Sequence, residues 1–225
     1  LPRTLAVDAP VGVLQDYAFV GNGLLDLFET DGNPRWLFGA TATATAMIRQ
    51  FQDPETGVLY QSDKRIELLT RKVELTDGAE PSGPGRALRL LARLHALGAP
   101  TIERSHIDKP LERAAWILDR APNSAPSLAQ VADRMAQQST EIILATESLD
   151  HPEFLRFRAA YHSRVRPHTA FAAVVSSESG DLDGYLALVG KEPGESGFQA
   201  YVCHNGACKQ PTRELAAFES SLNQP

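Results

Sequence analysis

Cysteine is scarce in this chain: 225 residues contain two, Cys203 and Cys208. A structural zinc site needs four ligands at suitable spacing. Here two thiols flank His204 with no second cysteine pair, so no metal is expected. A thioredoxin-type redox motif is Cys-x-x-Cys at a helix start, whereas this pair is Cys-x4-Cys after an apolar run. The Asn-Gly inside "CHNGAC" is instead a tight-turn signal, and across such a loop the two cysteines face each other, reduced or bridged, as a structural pair. So few cysteines in this length fit a reducing compartment better than a disulfide scaffold.

Other absences narrow the class further. No apolar run approaches the ~20 residues of a membrane-spanning helix, and no charged stretch followed by an apolar one marks a signal peptide. A soluble, cytoplasmic protein is expected, with no membrane partner. The formal net charge is −6; a nucleic-acid binder needs a basic footprint, so no nucleic-acid partner is expected either. No Gly-Lys-Ser/Thr follows the Gly-x-Gly at Gly83, which excludes a P-loop. No Gly-x-Ser-x-Gly elbow is present. The histidines His95, His106, His151, His162, His168 and His204 form no metal-binding pair. No cofactor is expected. Leu1, rather than Met, opens the chain, which reads as a processed product or a fragment.

The residues that are present fall into two textures. Tyr17, Val20, Leu24, Leu27 and Phe28 share one helical stripe over 13–31, and Leu37, Ala40, Ala44, Met47, Ile48 and Phe51 share another over 35–51. "TDGNP" between them predicts an antiparallel helix pair. A turn at Gly57 and a short strand, Val58 to Tyr60, are expected next. "IELLTRKVEL" gives no clean period. Ala87 to Leu97 predicts a further helix, and 111–121 and 127–137 two more. After Gln138 the pattern becomes α/β, with strands at 141–146, 170–177 and 198–203. Helices are expected at 150–164 and at 211–222, the last with Pro211 in its first turn. Gly21-x-Gly23 and Gly83-x-Gly85 suggest a weak repeat of helical hairpins, which stack into solenoids or close into toroids.

The loop "TRKVELTDGAEPSGPG" gathers Arg71, Lys72, Asp77, Glu80 and Ser82, and Asp16 and Tyr17 stand at the first helix start. Loops on a rigid helical scaffold carry binding groups, but Asp16 is equally at home as a helix cap. The charges of the loop equally suit a capped helix start, and Arg86, Arg89 and Arg93 a solvated flank or a face for an acidic partner or an anionic ligand.

"DYAFVGNGLLDLFETDGNPRWL" (16–37), "RKVELTDGAEPSG" (71–83) and "AYVCHNGACKQP" (200–211), in this order, resemble the C-terminal region of the thioredoxin-domain-containing family related to spermatogenesis-associated protein 20. The resemblance implies a six-hairpin α/α toroid, similar to N-acylglucosamine 2-epimerases and six-hairpin glycosidases. Cys203, Cys208 and Pro211 match the family's closing Cys-x4-Cys-x-x-Pro. It also implies that Asp16, Tyr17, Arg71, Lys72, Asp77, Pro81, Ser82 and Gly83 lie around the mouth of the toroid. Pro84 departs from the family's usual Asn, and no Cys-x-x-Cys is present, so the redox chemistry of a thioredoxin domain is not carried here.

The expectation is therefore a mainly α chain: helical hairpins of a partial (α/α) toroid over 1–139, then a small α/β segment over 140–225. It would bind a carbohydrate or another small molecule through Asp16, Tyr17, Arg71, Lys72, Asp77, Glu80 and Ser82. An epimerase- or glycosidase-like activity would need residues from a missing N-terminal half. The alternative is a non-enzymatic scaffold module that pairs with another chain or domain.

Overall fold

The computed structural model describes residues 1–3, 10–176 and 182–222. Among them are seven α-helices and a four-stranded sheet, mainly α with a C-terminal α/β part. The chain divides into two compact units. The first comprises Leu1–Leu25, Phe38–His95 and Thr101–Ala136; the second comprises Asp26–Leu37, Ala96–Pro100 and Gln137–Pro225.

Helices α1 (Leu14–Asp31) and α2 (Pro34–Phe51) follow their stripes closely. They are antiparallel: Tyr17 near the start of α1 stacks edge-on against Phe51 at the end of α2, with ring centroids 5.1 Å apart. The turn between them uses Gly32 at φ 69°. That glycine also lies against Ala173, where an added Cβ would come within 2.8 Å of the alanine's own.

Helix α3 (Gly83–Ala96) runs alongside α1 in the same direction. Gly83 lies by Leu14 and Gly21 lies by Leu90, seven residues on in both helices. In this register Gly21 and Gly83 are not equivalent, so the Gly-x-Gly repeat is no structural repeat. Gly21 instead lets Leu90 against the backbone of α1. Arg93, expected on a solvated flank, is only 7% exposed. Its Nη1 donates to the carbonyl (3.3 Å) and Oδ1 (3.2 Å) of buried Asn22, whose own Nδ2 donates to the carbonyls of Ala18 and Arg86. Polar groups buried between two helices stay only because each finds a partner.

The predicted strand at Val58 to Tyr60 is corrected to a single bridge, Gln52 to Leu59, after the turn at Gly57. Helix α4 (Ser105–Arg120) begins six residues earlier than its periodicity suggested, because Pro110 interrupts the pattern from within. Pro110 has no N–H to give the carbonyl of His106. That carbonyl accepts from Gln52 Nε2 instead, at 2.9 Å, so the helix continues through the proline. A 3-10 turn (Pro122–Ser124) leads to α5 (Pro126–Ala136).

In the second unit, β1 (Thr140–Thr146), α6 (Pro152–His162) and β2 (Thr169–Val175) form a parallel β-α-β unit. β3 (Phe198–His204) pairs antiparallel with β1, and β4 (Ala207–Cys208) with β3, giving the order β2-β1-β3-β4. Ile142, Leu144, Phe171, Phe198 and Val202 bury one sheet face under Phe154 and Phe157 of α6 and Phe218 of α7 (Leu215–Leu222). Ile143, Ala145 and Ala172 on the other face are buried too, which explains the nearly unbroken apolar runs of β1 and β2. Helix α7 starts at Leu215 rather than Pro211. Residues 211–212 stay extended because Thr212 exchanges both backbone hydrogen bonds with Ala200.

Cys203 and Cys208 face each other across β3 and β4 and are disulfide-bonded, the bridged form of the expected structural pair. Asn205 (φ 51°) and Gly206 (φ 77°) make the two-residue turn between them, a conformation for which Asn-Gly is suited. The closed loop is short, so the cross-link removes little chain entropy. Reduction should cost about 2 kcal/mol, read as a shift of the denaturant midpoint with and without reductant; no shift at all would show the bond to be dispensable. No helix among the described residues is long and apolar enough to cross a membrane.

Candidate functional site

Five of the seven predicted residues belong to a loop laid over the starts of α1 and α3, and the other two stand in the first turn of α1. Segment 60–72 holds the α1 end: the Gln61 carbonyl accepts from Leu14 N–H (3.0 Å), and Gln61 N–H donates to the Lys72 carbonyl (2.8 Å). Gln15 Nε2 of α1 donates to Glu80 Oε2 at 2.9 Å and ties in the 77–82 loop. This places polar groups of distant sequence along one rim.

Each residue on that rim is engaged. Asp16 Oδ2 accepts from Val13 N–H (2.8 Å) and lies 3.6 Å from Arg3 Nε, which makes it an N-terminal cap. Tyr17 is buried, and its hydroxyl donates to Gln50 Oε1 at 3.0 Å. Arg71 lies 4.1 Å over the Tyr60 ring and donates through Nη2 to the Ser62 carbonyl at 2.6 Å. Lys72 is exposed and pairs with Glu74 at 3.1 Å, and Glu80 is exposed.

Asp77 is the most committed of the set. Its Oδ1 accepts from Ser82 N–H (2.8 Å) and Ser127 Oγ–H (2.6 Å), and its Oδ2 from Ser127 N–H (2.7 Å). It therefore caps α5 while tethering the residue before α3. Burial pushes its carboxyl up, but the hydrogen bonds from Ser127 and Ser82 outweigh that and hold it below the usual aspartate value. A carboxylate so held is no proton donor at neutral pH. Ser82 completes the joint: its Oγ accepts from Gly85 N–H at 3.2 Å, as an N-cap serine does. Gly85 is required here, since a Cβ would overlap Ser127 Oγ. Pro84 sits in the first turn of α3, where no N–H is missed.

Sequence reasoning missed Asp63, which is 1% exposed. Its Oδ1 accepts from Arg65 N–H at 2.8 Å, and the Arg65 guanidinium folds back to 2.5 Å from Oδ2. The hydrogen bond from Arg65 holds its carboxyl below the usual range, against burial. Nothing in "QSDKR" marks one charge as buried. The first unit has two cavities. A polar one of about 330 Å³ includes Arg49, Lys64, His106 and Lys109. An apolar one of about 250 Å³ includes Leu59, Leu75, Leu88, Trp116 and Leu128. None of the seven predicted residues lines either cavity. No group of three or more His, Cys, Asp or Glu among the described residues is placed to hold a metal.

No protein-family model matches the chain. It is 26% identical over 221 residues, 95% of its length, to spermatogenesis-associated protein 20 of Mus musculus, covering 27% of that protein. The human protein of the same name is 27% identical over 220 residues, 94% of this chain and 27% of that one. An uncharacterised protein of Caenorhabditis elegans is 24% identical over 213 residues, 93% of this chain and 28% of that one. The chain is thus homologous to spermatogenesis-associated protein 20 over nearly its whole length, and it spans about 27% of the mouse and human relatives it matches.

Proposed function

We propose that this chain supplies helical hairpins to an α/α toroid and binds a small polar molecule, a saccharide first of all, at the rim where α1 and α3 start. The observation that supports this is the parallel course of α1, the first helix of an antiparallel pair, and α3, with one polar loop across both starts. Successive hairpins aligned in this way are the repeating unit of a toroid or solenoid. Asp77 and Ser82 act as the frame of the rim. Arg71, Lys72 and Glu80 are its ligand-facing groups, with Tyr17 behind them. Epimerase- or glycosidase-like chemistry would draw its acid and base from further hairpins, because Asp77 has no proton to give.

Calorimetric titration with a panel of mono- and disaccharides tests the reading. Binding is expected for at least one sugar, weakened about tenfold in Arg71→Ala, the worth of one charge-assisted hydrogen bond. A panel without binding, or Arg71→Ala equal to the parent, removes the rim as a site.

A second reading, an interaction module, has its own support. Ile66, Leu68 and Leu69 are exposed in one short stretch, and Trp116 is 57% exposed. Clustered apolar exposure marks surfaces that other protein covers. Light scattering decides: self-association lost in Leu69→Asp supports this module, and a monomer at all concentrations speaks against self-pairing.

A further inference from the structure

We propose that the polar cavity formed by the end of α2, the 53–64 segment and the start of α4 binds the phosphate group of a small phosphate monoester, such as a sugar phosphate. The inference is independent of the helix-start rim.

The cavity measures about 330 Å³, at the small end of the range for small-ligand sites. Arg49, Lys64 and Lys109 line it, three cations converging in a chain of net charge −6. Arg49 and Lys64 make no ion pair or side-chain hydrogen bond to the described residues. Lys109 donates only to a neutral acceptor, the Pro54 carbonyl, at 3.3 Å. Asp53 and Glu103 also line the cavity, but neither forms an ion pair with Arg49, Lys64 or Lys109, so the three cations remain to be engaged by a bound dianion.

Two further donors come from α4. Its first turn carries no side-chain cap from Arg104; His106 and Ile107 N–H donate to the Glu103 and Arg104 carbonyls, which leaves the N–H of Ser105, on the cavity wall, for a ligand or water. His106 Nδ1 accepts from Glu103 N–H at 3.1 Å, so a neutral ring carries its proton on Nε2. Burial lowers the affinity of His106 for a second proton, with Lys109 adding to this and Glu103 opposing it. The imidazole is therefore a neutral donor near pH 7.

The two carboxylates on the wall distinguish an ester from a bare ion. Asp53 Oδ1 is occupied by its own turn, accepting from Thr56 N–H and Oγ–H, both at 2.8 Å. Glu103 Oε2 accepts from Ser105 Oγ–H at 3.2 Å. Their remaining oxygens suit hydroxyl donors on the organic part of the ligand and disfavour a second phosphate.

Calorimetry with glucose 6-phosphate, inorganic phosphate and glucose at fixed ionic strength tests this. Saturable binding is expected for glucose 6-phosphate, weaker binding for inorganic phosphate and none for glucose. Arg49→Ala and Lys64→Ala should each weaken the monoester about tenfold, with the thermal midpoint unchanged because both side chains are exposed. Arg71→Ala on the rim should leave it as in the parent. Absence of saturable binding, glucose binding as tightly as its phosphate, or unchanged affinity in both Arg49→Ala and Lys64→Ala would each overturn the proposal.

Discussion

A Phe157→Ala variant should lose about 4 kcal/mol of stability, the range measured for truncating a fully buried aromatic ring. Phe157 has no exposed surface, and its ring lies 4.8 Å from Phe198 of β3 and 4.9 Å from Phe218 of α7. It thus joins the two helices of the second unit to the sheet. Alanine removes the transfer energy of the ring and leaves a cavity that strand and helix backbones cannot close. Phe157→Leu keeps most of the volume and should cost under about 1.5 kcal/mol. Hydrogen exchange at the β1 amides reads this unit by itself, which matters because the chain has two compact units and one global transition cannot be assumed. A loss below about 1 kcal/mol for Phe157→Ala would mean that the ring does not bear on the sheet.

Asp77→Ala should be nearly as costly, about 3 kcal/mol, since hydrogen bonds to a charged acceptor contribute about 1.5–3 kcal/mol each and do not add fully. It strands Ser82 N–H, Ser127 N–H and Ser127 Oγ together, loosening the starts of α3 and α5 in one step. Asp77→Asn keeps one acceptor oxygen and should lose less. The folded carboxyl lies below its unfolded value of 3.8. Its contribution is therefore complete above that value and disappears as pH falls through the lower folded value. Parent and Asp77→Asn stabilities should thus converge on acidification, in denaturant melts between pH 7 and pH 2. A gap that stays constant over that range would show that charge plays no part in the joint.

These roles mark where sequence reading stopped. The sequence marks Asp77, Ser82 and Asp16 as candidate ligand-binding residues, but spacing cannot separate a ligand-facing carboxylate from one that holds two helix starts together. Ser127, which decides the matter for Asp77, is 50 residues away. Helix α4 exceeds its expected span because Pro110 breaks the stripe, and the compensating donor, Gln52, lies just beyond the end of α2. Helix α7 is shorter than its expected span: Pro211 suits a first turn, but the backbone bonds of Thr212 to Ala200 hold that stretch at the sheet instead.

What local chemistry controls was legible. The stripes of α1, α2, α3 and α5, the apolar runs of β1 and β2 and the Asn205-Gly206 turn depend on neighbours a few residues apart, and they appear within one to four residues of their expected bounds. Homology to spermatogenesis-associated protein 20 was readable from three motifs for the same reason, since motifs are local strings. Only the tertiary structure brought α3 parallel to α1 and gathered Arg49, Lys64, His106 and Lys109 around one cavity. Those arrangements rest on packing between segments tens of residues apart, where side-chain volume and hydrogen-bond partners decide, and no spacing along the chain encodes them.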